Sequence, residues 1–354
     1  MQNYHFIAIG GIGMSGLAKY LLELGYSVTG SDVVTSKYIL ELEHLGAKVH
    51  IGHDKNNLPK GSIVVVSSAI RESNPELQEA KRLGLKIYHR SDLLKEISEK
   101  SKCFIGFAGC HGKTTTSGLA SYVLEKSSYC PSYVIGGILP EINTNAKYNT
   151  DQVFVAELDE SDGTIQKYLP DVCVINNLDE DHVDFYTEGV SSMIKVFNNF
   201  ISKLKPTAKV LINTDCEYTL QLVGKEFITY ACDKEASYTA KNINLGAGFI
   251  EFDLHYHKAF VAHLKTKMIG KHNVYNTLAV AAALMEAGFD IKTIKDSFSD
   301  FTGMKRRFQL VGEVKGALIY DDYAHHPTEV KSLIASLEAF KDNDVIAVFQ
   351  PHRY

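Results

Sequence analysis

Two glycine loops, each set between a short apolar stretch and a helix, constrain this chain more than any other feature. The first, Gly11-Ile12-Gly13-Met14-Ser15-Gly16, follows the apolar residues 5–9 and precedes a helical stretch, 17–24, that Gly25 stops. The second, Gly109-Cys110-His111-Gly112-Lys113-Thr114-Thr115, follows the apolar residues 103–109 and opens another helix. Free backbone N–H groups at a helix N-terminus favour an anion. Each loop therefore reads as a candidate phosphate site, and each is expected to belong to its own parallel strand–helix–strand unit. Two such loops so far apart predict two α/β domains within the 354 residues.

The rest of the chain extends that pattern. Residues 26–31 read as a second strand ending at Asp32, and 63–70 (IVVVSSAI) as a further parallel strand. Strands recur at VFVAEL, VCVINNL and KVLINT, and 233–265 has short alternating stretches that predict antiparallel strands. Residues 273–287 form an alanine-rich helix, apolar on more than one face and so buried. The strand GALIYDD begins at Gly316, and one helix and one strand (VIAVF) follow before Tyr354. Two strands and one helix do not bury a core alone, so the chain is expected to be cut short within a third domain. The expected fold is α/β: a Rossmann-like domain over 1–98, a central P-loop-type ATPase domain with a mostly parallel sheet over 99–310, and the start of a third Rossmann-like domain over 311–354.

Composition removes several classes. A formal net charge of −5 argues against a general nucleic-acid binder. Six cysteines without a CxxC pair fit reduced thiols in the cytoplasm. No apolar run is long enough for a membrane helix, so no membrane partner is expected.

The first loop on its own fits NAD, with Asp32 on a ribose hydroxyl, and equally any diphosphate nucleotide such as a UDP-sugar; a tight turn without ligand is the plain alternative. The second loop is more specific. Its amides cradle phosphates, Lys113 neutralises the terminal ones, and a threonine hydroxyl, best Thr114, reaches magnesium. The first glycine of the general P-loop pattern would fall at Phe107, so this loop closes differently. A dehydrogenase has no use for a second phosphate loop. Glu157 and His182 follow two apolar strands and should emerge at one sheet edge, where a carboxylate and an imidazole can hold a divalent ion or merely cap and turn. Asn273 and Asn276 open the buried helix, either to read adenine or as caps.

GCHGKTTT resembles the ATP loop of the Mur ligases. AELDESD at 156–162, NNLDEDHVD at 176–184, GKHNVYN at 270–276, MKRRF at 304–308, DDYAHHPTE at 321–329 and FQPHRY at 349–354 follow in that family's order. With GIGMSG they resemble the L-alanine-adding branch; a murein-peptide recycling ligase is the neighbouring alternative, and an NAD-dependent oxidoreductase a more distant one.

The resemblance implies UDP-N-acetylmuramate and L-alanine as substrates, ATP and Mg2+ as cofactors, and a cytoplasmic monomer or weak homodimer. It implies ATP contacts from Gly109, His111, Gly112, Lys113, Thr114, Thr115, Asn273, Asn276, Arg307 and Asp322, the last at the ribose. It places the metal on Thr114, Glu157 and His182. It assigns catalytic roles to Lys113, Arg307, His325, His352 and Arg353, the last two near the lactyl carboxylate and the incoming alanine. UDP-sugar contacts are expected from Gly11, Gly13, Met14, Ser15, Asp32, His53, Ser67 and Ser68.

Overall fold

The computed structural model describes residues 2–182 and 184–350. The first unit is a five-stranded, all-parallel sheet whose central strand, Asn3–Ile7, pairs with Ser27–Asp32 on one side and Ile63–Val66 on the other. Lys48–Ile51 and Ile87–His89 form its edges. The glycine loop thus leaves the central strand at its carboxyl end and opens the helix Ile12–Glu23, whose N-terminus faces outward at the point where strand order reverses.

The second unit is a ten-stranded sheet. Its centre is Cys103–Ala108, flanked in parallel by Val153–Glu157 and Val172–Ile175. Both flanking strands therefore end beside the second loop, as the sequence predicts. At the far edge Tyr238–Gly246, Phe249–Tyr256 and Ala259–Thr266 run antiparallel, in the segment expected to do so. The helix Lys271–Glu286 lies on this sheet with its alanines buried. Burial follows from having sheet on one side and the helix Lys113–Lys126 on the other, which leaves room only for small side chains.

The two units are locked together. Asn145 Nδ2 donates to the Ile12 carbonyl in the first glycine loop at 2.7 Å, and Lys19 reaches Thr144 at 2.6 Å. Tyr20 packs edge-on against Phe154 with ring centroids 5.7 Å apart.

The last segment departs from expectation. Gln309–Val314 is a strand that the sequence reading missed, and it forms an antiparallel hairpin with Ala317–Asp321. The helix Pro327–Ser336 follows. VIAVF at 345–349 is not a strand: Ile346 is 90% and Val348 94% exposed. An apolar, β-branched run becomes a strand only where a neighbour takes up its backbone hydrogen bonds, and among the described residues none lies alongside.

Candidate active site

The helix Lys113–Lys126 begins immediately after Gly112, whose φ of 85° would strain any residue with a side chain; a Cβ at Gly109 would strike the backbone of Asn177. The loop therefore folds back tightly over the sheet edge. Lys113 Nζ donates to the carbonyls of Gly109 (2.6 Å) and Cys110 (3.1 Å) and to Glu160 Oε1 (2.8 Å). Burial opposes its charge, but the carboxylates of Glu160, Glu157 and Asp159 outweigh burial and keep it firmly protonated.

Thr114 Oγ1 donates to Glu157 Oε2 at 2.9 Å, and the Gly136 N–H donates to the same oxygen. Burial pushes the Glu157 carboxyl up despite Lys113. His182 joins this centre through Glu160, its Nε2 3.4 Å from Glu160 Oε1, and is held protonated above its usual range chiefly by that contact. Glu160 itself is fully buried, and its Oε2 has no hydrogen-bond partner among the described residues. Hard oxygen donors, a carboxyl destabilised by burial and an orphaned carboxylate oxygen together fit a divalent cation of the magnesium type. Glu160 was hidden in the sequence among seven neighbouring acids, and only its burial singles it out.

A cavity of about 450 Å³ opens beside this centre. His111, Gly112, Thr114, Thr115, Asn273, Asn276, Arg307 and Asp322 all line it, so eight expected ATP contacts from four separate stretches of chain converge. Gly109 and Lys113, two further expected ATP contacts, are not among its lining residues. Asn273 donates to the Ile269 carbonyl and accepts from Asn276, so the two amides are fixed in one orientation. His272 also lines it, its value pushed down to about 4 by burial, so it is a neutral ring. Arg307 Nη1 pairs with Glu329 at 3.3 Å, and Asp322 accepts from the N–H groups of Phe308 and Ala324 at 2.6 Å each. His325 is not brought into this cavity; it faces a separate groove with Pro327 and Ile334. His352 and Arg353 lie outside the described residues.

In the first unit the expectations divide. Gly13 lines a second cavity, of about 210 Å³, with Ile12, Arg90, Gly136, Glu157 and Asp159. Gly11 is the N-cap of the loop's helix. Met14 and Ser15 turn their side chains inward, both 4% exposed, leaving only backbone toward a ligand. Asp32 accepts from Gly10 N (2.8 Å) and Val33 N (2.7 Å) and so braces the loop. His53 is tied to Ser31 at 2.8 Å, within a buried network. Ser67 is half-buried; Ser68 bonds across the unit boundary to Asp162 (2.5 Å). Sequence reasoning missed Arg90, which pairs with Asp159 between the units; a lone arginine at a helix start carries no signal of its own.

Two glycine loops, each leaving the carboxyl end of a parallel strand and opening a helix, the second beside the larger cavity, define the class of an ATP-dependent ligase. The chain belongs to the Mur ligase family: residues 3–102 match the Mur ligase family catalytic domain, 107–284 the Mur ligase middle domain and 306–353 the Mur ligase glutamate ligase domain. It is 40% identical to the UDP-N-acetylmuramate–L-alanine ligase of Aquifex aeolicus, over all of this chain and 78% of that protein. It is 41% identical to the ligase of the same name from Carboxydothermus hydrogenoformans, over all of this chain and 77% of that one. The fold superposes on the UDP-N-acetylmuramate-alanine ligase of Thermotoga maritima with a TM-score of 0.89 at 27% identity, covering all of this chain and 81% of that one. No helix among the described residues is long and apolar enough to cross a membrane.

Proposed function

We propose that this chain is an ATP-dependent ligase that joins L-alanine to the lactyl carboxylate of UDP-N-acetylmuramate. One observation carries the reading: the two cavities meet at a shared wall. Thr114 lines the larger one and Glu157 the smaller, and the two side chains are hydrogen-bonded at 2.9 Å. A nucleotide sugar whose diphosphate lies on the Gly13 loop thus presents its far end where the terminal phosphate of ATP would lie.

The residues then have distinct tasks. The Gly112–Thr115 backbone holds the phosphates, and Lys113 offsets charge as the carboxylate oxygen attacks the γ-phosphorus and ADP leaves. Thr114, Glu157 and Glu160, with His182 through Glu160, would hold a magnesium ion, which when bound offsets phosphate charge. Arg307, from the junction with the last segment, lines the cavity and would reach toward the ATP phosphates. The alanine amine then attacks the acyl carbonyl and phosphate departs. Asn273 and Asn276 fix the base, and Asp322 the ribose. No covalent enzyme intermediate is required.

The test follows an oxygen atom. UDP-N-acetylmuramate labelled with 18O in its lactyl carboxylate should yield phosphate carrying one labelled oxygen for each product formed. Label-free phosphate would remove the acyl phosphate. Turnover with the tripeptide L-alanyl-γ-D-glutamyl-diaminopimelate, and none with L-alanine, would move the chain to the recycling branch. The centre has its own check. Glu157→Gln keeps the hydrogen bonds from Thr114 and Gly136 but removes the charge, so half-maximal activity should need about tenfold more magnesium or beyond. An unchanged magnesium dependence would take Glu157 out of the metal shell.

A further inference from the structure

We propose a second metal site, of transition-metal type, formed by His111, Asp179 and His326 where the last segment closes against the phosphate loop. The three donors come from three places: His111 from the loop, Asp179 from the stretch after Val172–Ile175, and His326 from the N-cap of Pro327–Ser336. Their ligand atoms all lie within 4.8 Å of one another. Asp179 Oδ2 is the hub, 2.9 Å from His111 Nε2 and 3.8 Å from His326 Nδ1. Donors around a tetrahedral zinc at 2.0–2.1 Å stand about 3.3 Å apart, so the observed spacings bracket that value and side-chain rotations alone would close the site.

The outer contacts argue for a metal more strongly than the spacing does. A histidine ligand normally has its other ring nitrogen held by a carboxylate or a carbonyl, which fixes its tautomer. His326 is held so, and His111 has a carboxylate near its second nitrogen. His111 Nδ1 faces Glu329 Oε1 at 3.7 Å, and His326 Nε2 donates to the Glu180 carbonyl at 3.1 Å. Each ring thus turns its remaining nitrogen toward Asp179. Asp179 also accepts from Thr328 Oγ1 at 2.6 Å, a further contact that orients the carboxylate. A metal would displace two bonds, the His111 Nε2–Asp179 Oδ2 contact at 2.9 Å and the weak Thr328 N–H to His326 Nδ1 cap at 3.3 Å.

Two imidazoles and one carboxylate differ from the all-oxygen set at Thr114 and Glu157. They select zinc, cobalt or nickel over magnesium, and three protein ligands leave the fourth position to water or to a group in the larger cavity. A metal here would tie the helix Pro327–Ser336 to the phosphate loop and so hold the cavity closed.

Co2+ titration of the full chain, without nucleotide, tests the site apart from ligase activity. The visible d–d absorption of cobalt should saturate at one equivalent with a four-coordinate signature, and zinc should displace it. Hydrogen exchange across 317–340 should slow when the metal binds. His326→Asn removes the ring but keeps an N-cap side chain, so the helix survives. It should weaken cobalt binding by at least about tenfold, with unchanged circular dichroism. Asp179→Asn should do the same. Equal cobalt affinity in wild type and His326→Asn, or an octahedral spectrum in the wild type, would overturn the site and leave a proton-bridged contact in its place.

Discussion

Replacing Lys113 with alanine is expected to lower ligation by about 10³-fold or more, because Lys113 is the one lysine or arginine in the loop and offsets the charge that develops on the transferring phosphoryl group. The same change has a structural consequence. Lys113 is the cation paired with the fully buried Glu160, and removing one partner of a buried pair costs about 3–5 kcal/mol. Lost activity could then reflect a loosened centre. The double variant Lys113→Ala/Glu160→Gln separates the two effects, since it removes the stranded charge. Its stability should recover most of the way to wild type while ligation stays down. UDP-N-acetylmuramate binding, measured by calorimetry, should be nearly unchanged in both, because the Gly13 loop lies on the other sheet. Ligation within about tenfold of wild type in the single variant, or its recovery in the double variant, would remove Lys113 from the chemistry.

Much of this site is legible in the sequence because its chemistry depends on local backbone. A loop that must turn tightly at Gly109 and Gly112 and then open a helix leaves a contiguous signature. The strands before Glu157 and His182 are legible as apolar runs, and parallel pairing to either side of Cys103–Ala108 carries both ends to the loop. What depends on tertiary burial is not legible. Glu160 is one acid in a string of acids until the fold buries it beside Lys113. His325 and His326 are adjacent in sequence, yet only His326 caps the helix and meets Asp179; His325 turns to the other side. The missed strand Gln309–Val314 shows the same limit. Its partner, Ala317–Asp321, is two residues away, but exposed apolar residues on both strands blur the alternation that marks a hairpin. VIAVF errs the opposite way, since its composition is that of a strand and its surroundings are not.

The second large effect lies far from the phosphates. Glu76 is fully buried in the first unit, with Oε2 accepting from Ser31 Oγ (2.5 Å) and lying 3.4 Å from His5 Nε2, and Oε1 accepting from Asn57 (2.7 Å) and the Asp54 N–H (3.2 Å). His53 joins through Ser31. Burial alone would raise this carboxyl, but the bonds from His5, Ser31 and Asn57 outweigh it and hold it down at about 2. Glu76→Ala strands all of these donors in a core of low dielectric, and should destabilise the first unit by about 3–5 kcal/mol. Glu76→Gln keeps the volume and loses the charge, which isolates the ionic part. The sign of its pH dependence follows from a folded value below the unfolded one. The ionic contribution is complete above about 4.5 and is lost as pH falls toward about 2, a span worth about 3 kcal/mol. The stability gap between wild type and Glu76→Gln should therefore be widest near neutral pH and narrow steadily through that acid window. A multi-domain chain does not unfold in one step, so the measurement is hydrogen exchange of Asn3–Ile7 and Ser27–Asp32 at several pH values. Because this network braces the strand that ends at Asp32, and Asp32 braces the Gly10–Gly11 turn, the alanine variant should also bind UDP-N-acetylmuramate more weakly. A gap that stays constant from pH 7 to pH 3 would mean that Glu76 titrates alike in the folded and unfolded chain, so that its charge adds nothing net and hydrogen bonding and packing hold the first sheet together.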